Sequence, residues 1–177
     1  ENILECLNAY TDFDVFGHVD YIVRYGPTKA ENYSYQKYQE ILNEILKTLI
    51  SKNIGLELNT AGLKYGLGFA HPHMDILKKY REFGGEIITV GSDGHKPEHL
   101  AYDFHKVPSI LKEAGFHYYT IFKNRKPEFI KPGTVPTLSP GWSLLFFYRC
   151  YYRYGLDSPA WLPISFSETE LCLSYQH

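Results

Sequence analysis

The sequence predicts an α/β fold with parallel strands and right-handed crossovers. Short runs rich in leucine and β-branched residues occur at 14–20, 55–59, 87–95 and 118–122, and longer segments with helical apolar spacing lie between them. Such alternation is satisfied when each helix returns the chain to start the next strand parallel to the last. Polar side chains also gather where these runs end, and α/β folds place their sites at the C-terminal ends of strands.

The chain has 177 residues, 44% of them hydrophobic and 21% charged, enough for one domain with a real core. Lys and Arg number 18 and Asp and Glu 20, a net charge of -2, so bulk charge draws the chain to neither nucleic acid nor an anionic membrane. The three cysteines (Cys6, Cys150, Cys172) are far apart and lack CxxC spacing, which indicates neither a disulfide framework nor a zinc knuckle and fits a reducing, cytoplasmic setting. No apolar run approaches the roughly 18 residues of a membrane span, and no signal peptide is evident. The chain opens at Glu1, already inside a helical pattern, so a start further upstream is expected.

Ile3, Leu4 and Leu7 have helical spacing over residues 1–9. Asp14 to Asp20 reads as a short strand with His18 and Asp20 on one face, and Gly17 permits close approach of the backbone. Taken alone, His18 is more often a hydrogen-bonded core histidine than a metal ligand. Thr28 and Glu31 have capping-box spacing and predict the start of a long helix reaching about Lys52. Its apolar stripe is Tyr38, Ile41, Leu42, Ile45, Leu46, Leu49 and Ile50.

In the strand Gly55–Asn59, Leu56 and Leu58 point one way and Glu57 and Asn59 the other, either into a site or to solvent. The glycine-rich stretch 60–68 lacks the GxxxxGK[ST] order of a P-loop. Pro72 predicts a helix start, with Met74, Leu77 and Tyr80 on its apolar face and Gly84-Gly85 at its end. His71 and His73 diverge at such a start and are not expected to act as ligands. Ile87 to His95 is the stretch that organises the rest: a β-branched run ends in Gly-Ser and then places Asp93 and His95 two residues apart. If the backbone stays extended, both aim at one point and suit a divalent transition metal, although on the triplet alone a strand followed by an ordinary turn is the favoured explanation. A helical region interrupted by Pro108 follows, then a strand at 118–122 and a short one at 129–130. From Thr134 prolines interrupt an aromatic, charge-poor tail with no chemistry of its own.

The segments Gly17-His18-Val19-Asp20, Leu56-Glu57-Leu58-Asn59-Thr60-Ala61-Gly62-Leu63, Gly91-Ser92-Asp93-Gly94-His95-Lys96-Pro97-Glu98 and Glu113-Ala114-Gly115-Phe116 together resemble the PHP-domain histidinol-phosphatases. The resemblance covers residues 1–133 and leaves 134–177 outside it. It implies part of a distorted (β/α)7 barrel with metals at the strand ends. Carried over residue by residue, it implies His18, Asp93 and His95 as metal ligands, with Asp93 and His95 central to catalysis. Glu57 and Asn59 would line the substrate site, and Arg24 and Lys64 would hold the phosphate. The implied cofactors are divalent ions (Mn, Zn or Fe), and the implied reaction is hydrolysis of L-histidinol phosphate in histidine biosynthesis.

The family's N-terminal His-x-His element, and the His and Glu ligands after it, have no counterpart here. The pattern therefore matches the C-terminal portion of the enzyme, and weak or absent activity is expected of this chain alone. Two ions about 3.5–4 Å apart are the usual clamp for in-line attack on a phosphate ester. An incomplete barrel also leaves an open sheet edge through which copies could associate. Another PHP phosphoesterase or nuclease, and a non-catalytic interaction module, remain alternatives. The expected partner is a small phosphate ester, with neither nucleic acid nor membrane.

Overall fold

A computed structural model of the chain describes residues 2–132, so the aromatic tail expected from 134 lies outside the described residues. Three strands, β1 (Val15–Phe16), β2 (Gly55–Asn59) and β3 (Ile88–Gly91), form a parallel sheet in the order β1-β2-β3. Phe16 stands opposite Leu56, Leu56 opposite Ile88, and Asn59 opposite Gly91. This register brings the C-terminal ends of all three strands to one side.

The crossovers bury the apolar faces that the sequence displays. Helix α1 (Asn2–Ala9) precedes β1 and buries Leu7. Helix α2 (Gln39–Ser51) buries Leu42, Ile45, Leu46 and Leu49. The short α3 (Ala61–Lys64) follows β2, and α4 (Met74–Glu82) buries Ile76, Leu77 and Tyr80. These side chains form one cluster with Leu56, Leu58, Ile88 and Val90 of the sheet, and each fully buried leucine contributes roughly 2 kcal/mol.

Four expectations are corrected. The helix expected from Thr28 begins at Gln39. Residues 29–32 and 35–38 are single 3-10 turns, and the Thr28 side chain caps nothing. Tertiary contacts explain this: the Tyr33 ring stacks on Phe69 with centroids 6.1 Å apart, and the buried Tyr35 donates to Asn43 Oδ1 at 2.5 Å. The helix expected at Pro72 begins at Met74, because His71 is held in an antiparallel bridge to Asn59 and the His73 ring accepts from the Asp75 N–H at 3.3 Å. The strand expected over 14–20 pairs only at Val15 and Phe16.

The fourth correction concerns the last strands. After α5 (Val107–Glu113), β4 (Tyr119–Lys123) and β5 (Lys126–Ile130) make a separate antiparallel hairpin and do not extend the parallel sheet. Asn124 and Arg125 form its two-residue turn, both with positive φ (49° and 63°), which suits the twist of a tight hairpin. The Arg125 guanidinium pairs with Asp12 and Asp14, just before β1. Thr120 Oγ1 accepts from the Ile88 N–H at 3.2 Å, which docks the hairpin beside β3. No helix among the described residues is long and apolar enough to cross a membrane.

Candidate functional site

The polar residues expected from the sequence meet at the C-terminal ends of β1, β2 and β3. Glu57 and Asn59 lie on one face of β2, and Asn59 Nδ2 donates to Glu57 Oε2 at 3.1 Å. Asn59 Oδ1 accepts from the Ala61 N–H at 2.9 Å, so the amide is held from both ends. Neighbouring glycines give the carboxylate its space. A Cβ on Gly17 would sit 2.8 Å from Glu57 Oε2, and one on Gly91 would sit 2.3 Å from Oε1. Burial is the largest influence on Glu57 and raises its pKa. Asp93 adds to the rise, while the Asn59 amide, His18 and His71 oppose it.

His18 arrives at this carboxylate by a route that strand alternation does not describe. Its φ is +61°, so the chain turns sharply after β1, and its Nδ1 lies 3.6 Å from Glu57 Oε2. The ring stacks on Tyr21 with centroids 4.5 Å apart. Asp20 turns the other way, correcting the expectation that it shares a face with His18. It is buried, with Oδ1 2.7 Å from His71 Nδ1, and Oδ2 accepts from the His73 N–H at 2.7 Å. Asp20 thus ties the loop carrying His18 to the approach of α4. His71, set aside as a ligand, is fully buried at this junction, and its Nε2 has no hydrogen-bond partner among the described residues. Burial, and then the Asp20 charge, push the nearby Tyr33 phenol far up.

Asp93 and His95 also depart from the extended geometry expected of them. Asp93 has φ +48°, which ends the strand. Its side chain is 14% exposed while that of His95 is 76% exposed, yet His95 Nδ1 remains 3.6 Å from Asp93 Oδ1. Arg24 Nη1 lies 3.5 Å from Asp93 Oδ2. The guanidinium carbon sits 3.8 Å from the Tyr21 ring centroid, 4.7 Å from that of Tyr25 and 4.3 Å from that of Tyr65. Such cation–π contacts fix the plane of the group. Lys64 Nζ donates to the carbonyls of Ser92 at 3.3 Å and Asp93 at 3.0 Å. Burial lowers the Lys64 pKa; Arg24 adds to the fall and Asp93 opposes it.

The structure therefore brings His18, Arg24, Glu57, Asn59, Lys64 and Asp93 together, with His95 at the open rim. Asp20, His71 and the three tyrosines around Arg24 are additions. Tyr21 had a local signal, three residues before Arg24 and so on the same face of a helical turn, whereas Tyr65 comes from a distant segment and had none. The Asp20–His71 pair had none.

Metal-binding chemistry is present in part. Asp93 Oδ2 is buried and makes no hydrogen bond among the described residues, with Arg24 Nη1 facing it at 3.5 Å. The donors nevertheless fall into two pairs, His18 with Glu57 and Asp93 with His95, and no three His, Cys, Asp or Glu side chains among the described residues converge closely enough to hold an ion. The described side chains alone do not fit a closed metal site.

Comparison with known proteins gives a consistent picture. The PHP domain family matches residues 1–61. Histidinol-phosphatase of Lactococcus lactis is 35% identical over 134 residues, covering 71% of this chain and 48% of that protein. The probable histidinol-phosphatase of Thermotoga maritima is 32% identical over 109 residues, covering 62% and 44%. A crystal structure of the Lactococcus lactis histidinol phosphate phosphatase, complexed with zinc, L-histidinol and phosphate, superimposes with a TM-score of 0.58 at 34% identity, covering 71% of this chain and 48% of that one. The chain thus spans about half the length of the relatives it matches.

Proposed function

We propose that this chain, which is similar to the PHP-domain histidinol-phosphatases over about half of their length, carries the phosphate-binding side of a metal-dependent phosphate monoester hydrolase acting on L-histidinol phosphate. The observation that carries the reading is the meeting of two cations at Asp93 near the ends of parallel strands, Arg24 against its carboxylate and Lys64 against its backbone carbonyl.

Arg24 offers a planar fork of N–H donors that matches phosphate oxygens, and Lys64 adds a point charge. Both are anchored before substrate arrives, Arg24 by its tyrosines and Lys64 by two carbonyls. Little ordering entropy is then lost on binding. Asn59 holds the Glu57 carboxylate in place at the back of the site. His18, Asp93 and His95 would contribute to the ligand set of a divalent ion (Mn, Zn or Fe), which they do not complete among the described residues. Such an ion, when bound, activates water and neutralises phosphate charge.

The test is release of phosphate from L-histidinol phosphate by the purified chain with Mn²⁺, Zn²⁺ or Fe²⁺, beside Asp93→Ala. The expected result is weak or no turnover by the chain alone, with activity appearing once the part of a histidinol-phosphatase that it does not span is added, and lost again in Asp93→Ala. Turnover by the chain alone at the rate of a full-length relative would overturn the expectation of weak activity. Failure of the complemented protein on this ester, with turnover of another, would move the reading to a different phosphoesterase. Failure on every ester would favour a non-catalytic module.

A further inference from the structure

The Arg24–Asp93 contact is an unsaturated ion pair. Arg24 Nη1 and Asp93 Oδ2 are 3.5 Å apart, both atoms are buried, and neither has a hydrogen-bond partner among the described residues. A guanidinium has five N–H donors in a fixed fork, which a carboxylate or phosphate can meet with two short bonds. Here one carboxylate oxygen faces it at long range. The Arg24 Nη2 atom meets the Tyr25 hydroxyl at 2.5 Å and also contacts Tyr21, so the unsatisfied side of the fork is the one turned to Asp93. An ammonium has three donors, and Lys64 uses two on the Ser92 and Asp93 carbonyls, which leaves one free of those contacts. Two cations and one carboxylate thus share a small volume, and the carboxylate leaves donor capacity unused.

We propose that Asp93 is the built-in occupant of an oxyanion site formed by Arg24 and Lys64, and that a tetrahedral oxyanion competes with the Asp93 carboxylate for the Arg24 guanidinium. This rests on the reading of Arg24 and Lys64 as the phosphate-binding pair. The three tyrosine rings make the exchange inexpensive, because the guanidinium can trade one anion for another without leaving its stack. Asp93 is free to move away, since its Oδ2 has no other hydrogen bond to break.

The experiment is calorimetric titration of inorganic phosphate into the metal-free 177-residue chain, as wild type, Asp93→Asn and Asp93→Asn/Arg24→Met. Asp93→Ala serves as a second carboxylate deletion, and circular dichroism checks that every variant is folded. Removing the carboxylate should tighten phosphate binding by about ten-fold, the scale of one partly buried ion pair, and Arg24→Met should abolish the gain. Asparagine or alanine variants that bind phosphate no better than wild type overturn the competition and leave the phosphate-binding reading standing. A gain that survives Arg24→Met overturns it as well. Absence of binding in wild type and in both folded carboxylate deletions overturns the phosphate-binding pair itself, and this inference with it.

Discussion

Glu57 is a site residue whose surroundings oppose its charge. Burial holds its pKa above the ordinary 4.5, so the folded chain favours the protonated acid. A group with a raised folded pKa contributes stability below its unfolded value, and that contribution is lost as pH climbs through the folded pKa. At neutral pH the ionised carboxylate is therefore a cost. Glu57→Gln keeps an acceptor for Asn59 and removes the charge, and should raise stability at neutral pH by ~1 kcal/mol. The advantage should vanish as pH falls to 4.5 and below; thermal unfolding across that range checks it, and equal stability at neutral pH would contradict it. Asp20→Asn should do the opposite, weakening the anchor to His71 and to the His73 N–H by about 2 kcal/mol, measurable by urea unfolding. The two carboxylates also mark what was legible. Glu57 and Asn59 showed their shared face because strand alternation is local. The partner of Asp20 stands 51 residues away, and nothing in the sequence reports that the loop turns Asp20 inward. His18 and Asp93 were legible as residue types, but their positive φ angles were not, because left-handed backbone at a non-glycine residue is imposed by the surroundings.

At the scale of elements, periodicity carried as far as packing obeyed it. Leu42, Ile45, Leu46 and Leu49 on α2 are buried as their spacing requires, whereas Tyr38, counted in the same stripe, is 52% exposed because the helix has not yet begun there. The capping-box letters at Thr28 and Glu31 were outweighed by the seats that Tyr33 and Tyr35 take in the tertiary structure. Leu49→Ala should cost about 3 kcal/mol, since its side chain is fully enclosed between helix and sheet. Gly62→Ala is a sharper test of α3. Its Cβ would fall 2.2 Å from the Phe69 carbonyl oxygen, and backbone cannot swing aside as a side chain can, so a loss of about 2 kcal/mol is expected in thermal unfolding. Gly91→Ala presents a similar distance to the movable end of Glu57, and should leave stability nearly unchanged while displacing the carboxylate. If Gly62→Ala unfolds no earlier than Gly91→Ala, the close packing of α3 on the 69–70 segment is wrong.

For the molecule as a whole, the two halves of the chemistry separate. The cations that would receive phosphate, Arg24 and Lys64, are anchored by contacts among the described residues. Among the described residues the metal donors do not reach closure, because they form two pairs and no triplet. The match covers 48% and 44% of the length of two relatives, so much of their length has no counterpart in the matched region. An ion bound by two protein ligands keeps most of its water and is held loosely, since affinity comes from the number of deprotonated donors that converge on it. Zn²⁺ affinity of this chain, measured by competition with a chromophoric chelator, should therefore be about micromolar or weaker, and His18→Ala and Asp93→Ala should each reduce it further. Phosphate binding measured without metal should persist, and should fall on Arg24→Met. Nanomolar zinc binding would mean that donors do converge in solution, and the chain would then have to be judged as a possible catalyst in its own right. Loss of phosphate binding whenever zinc is removed would mean that the two functions are one site that this chain does not divide.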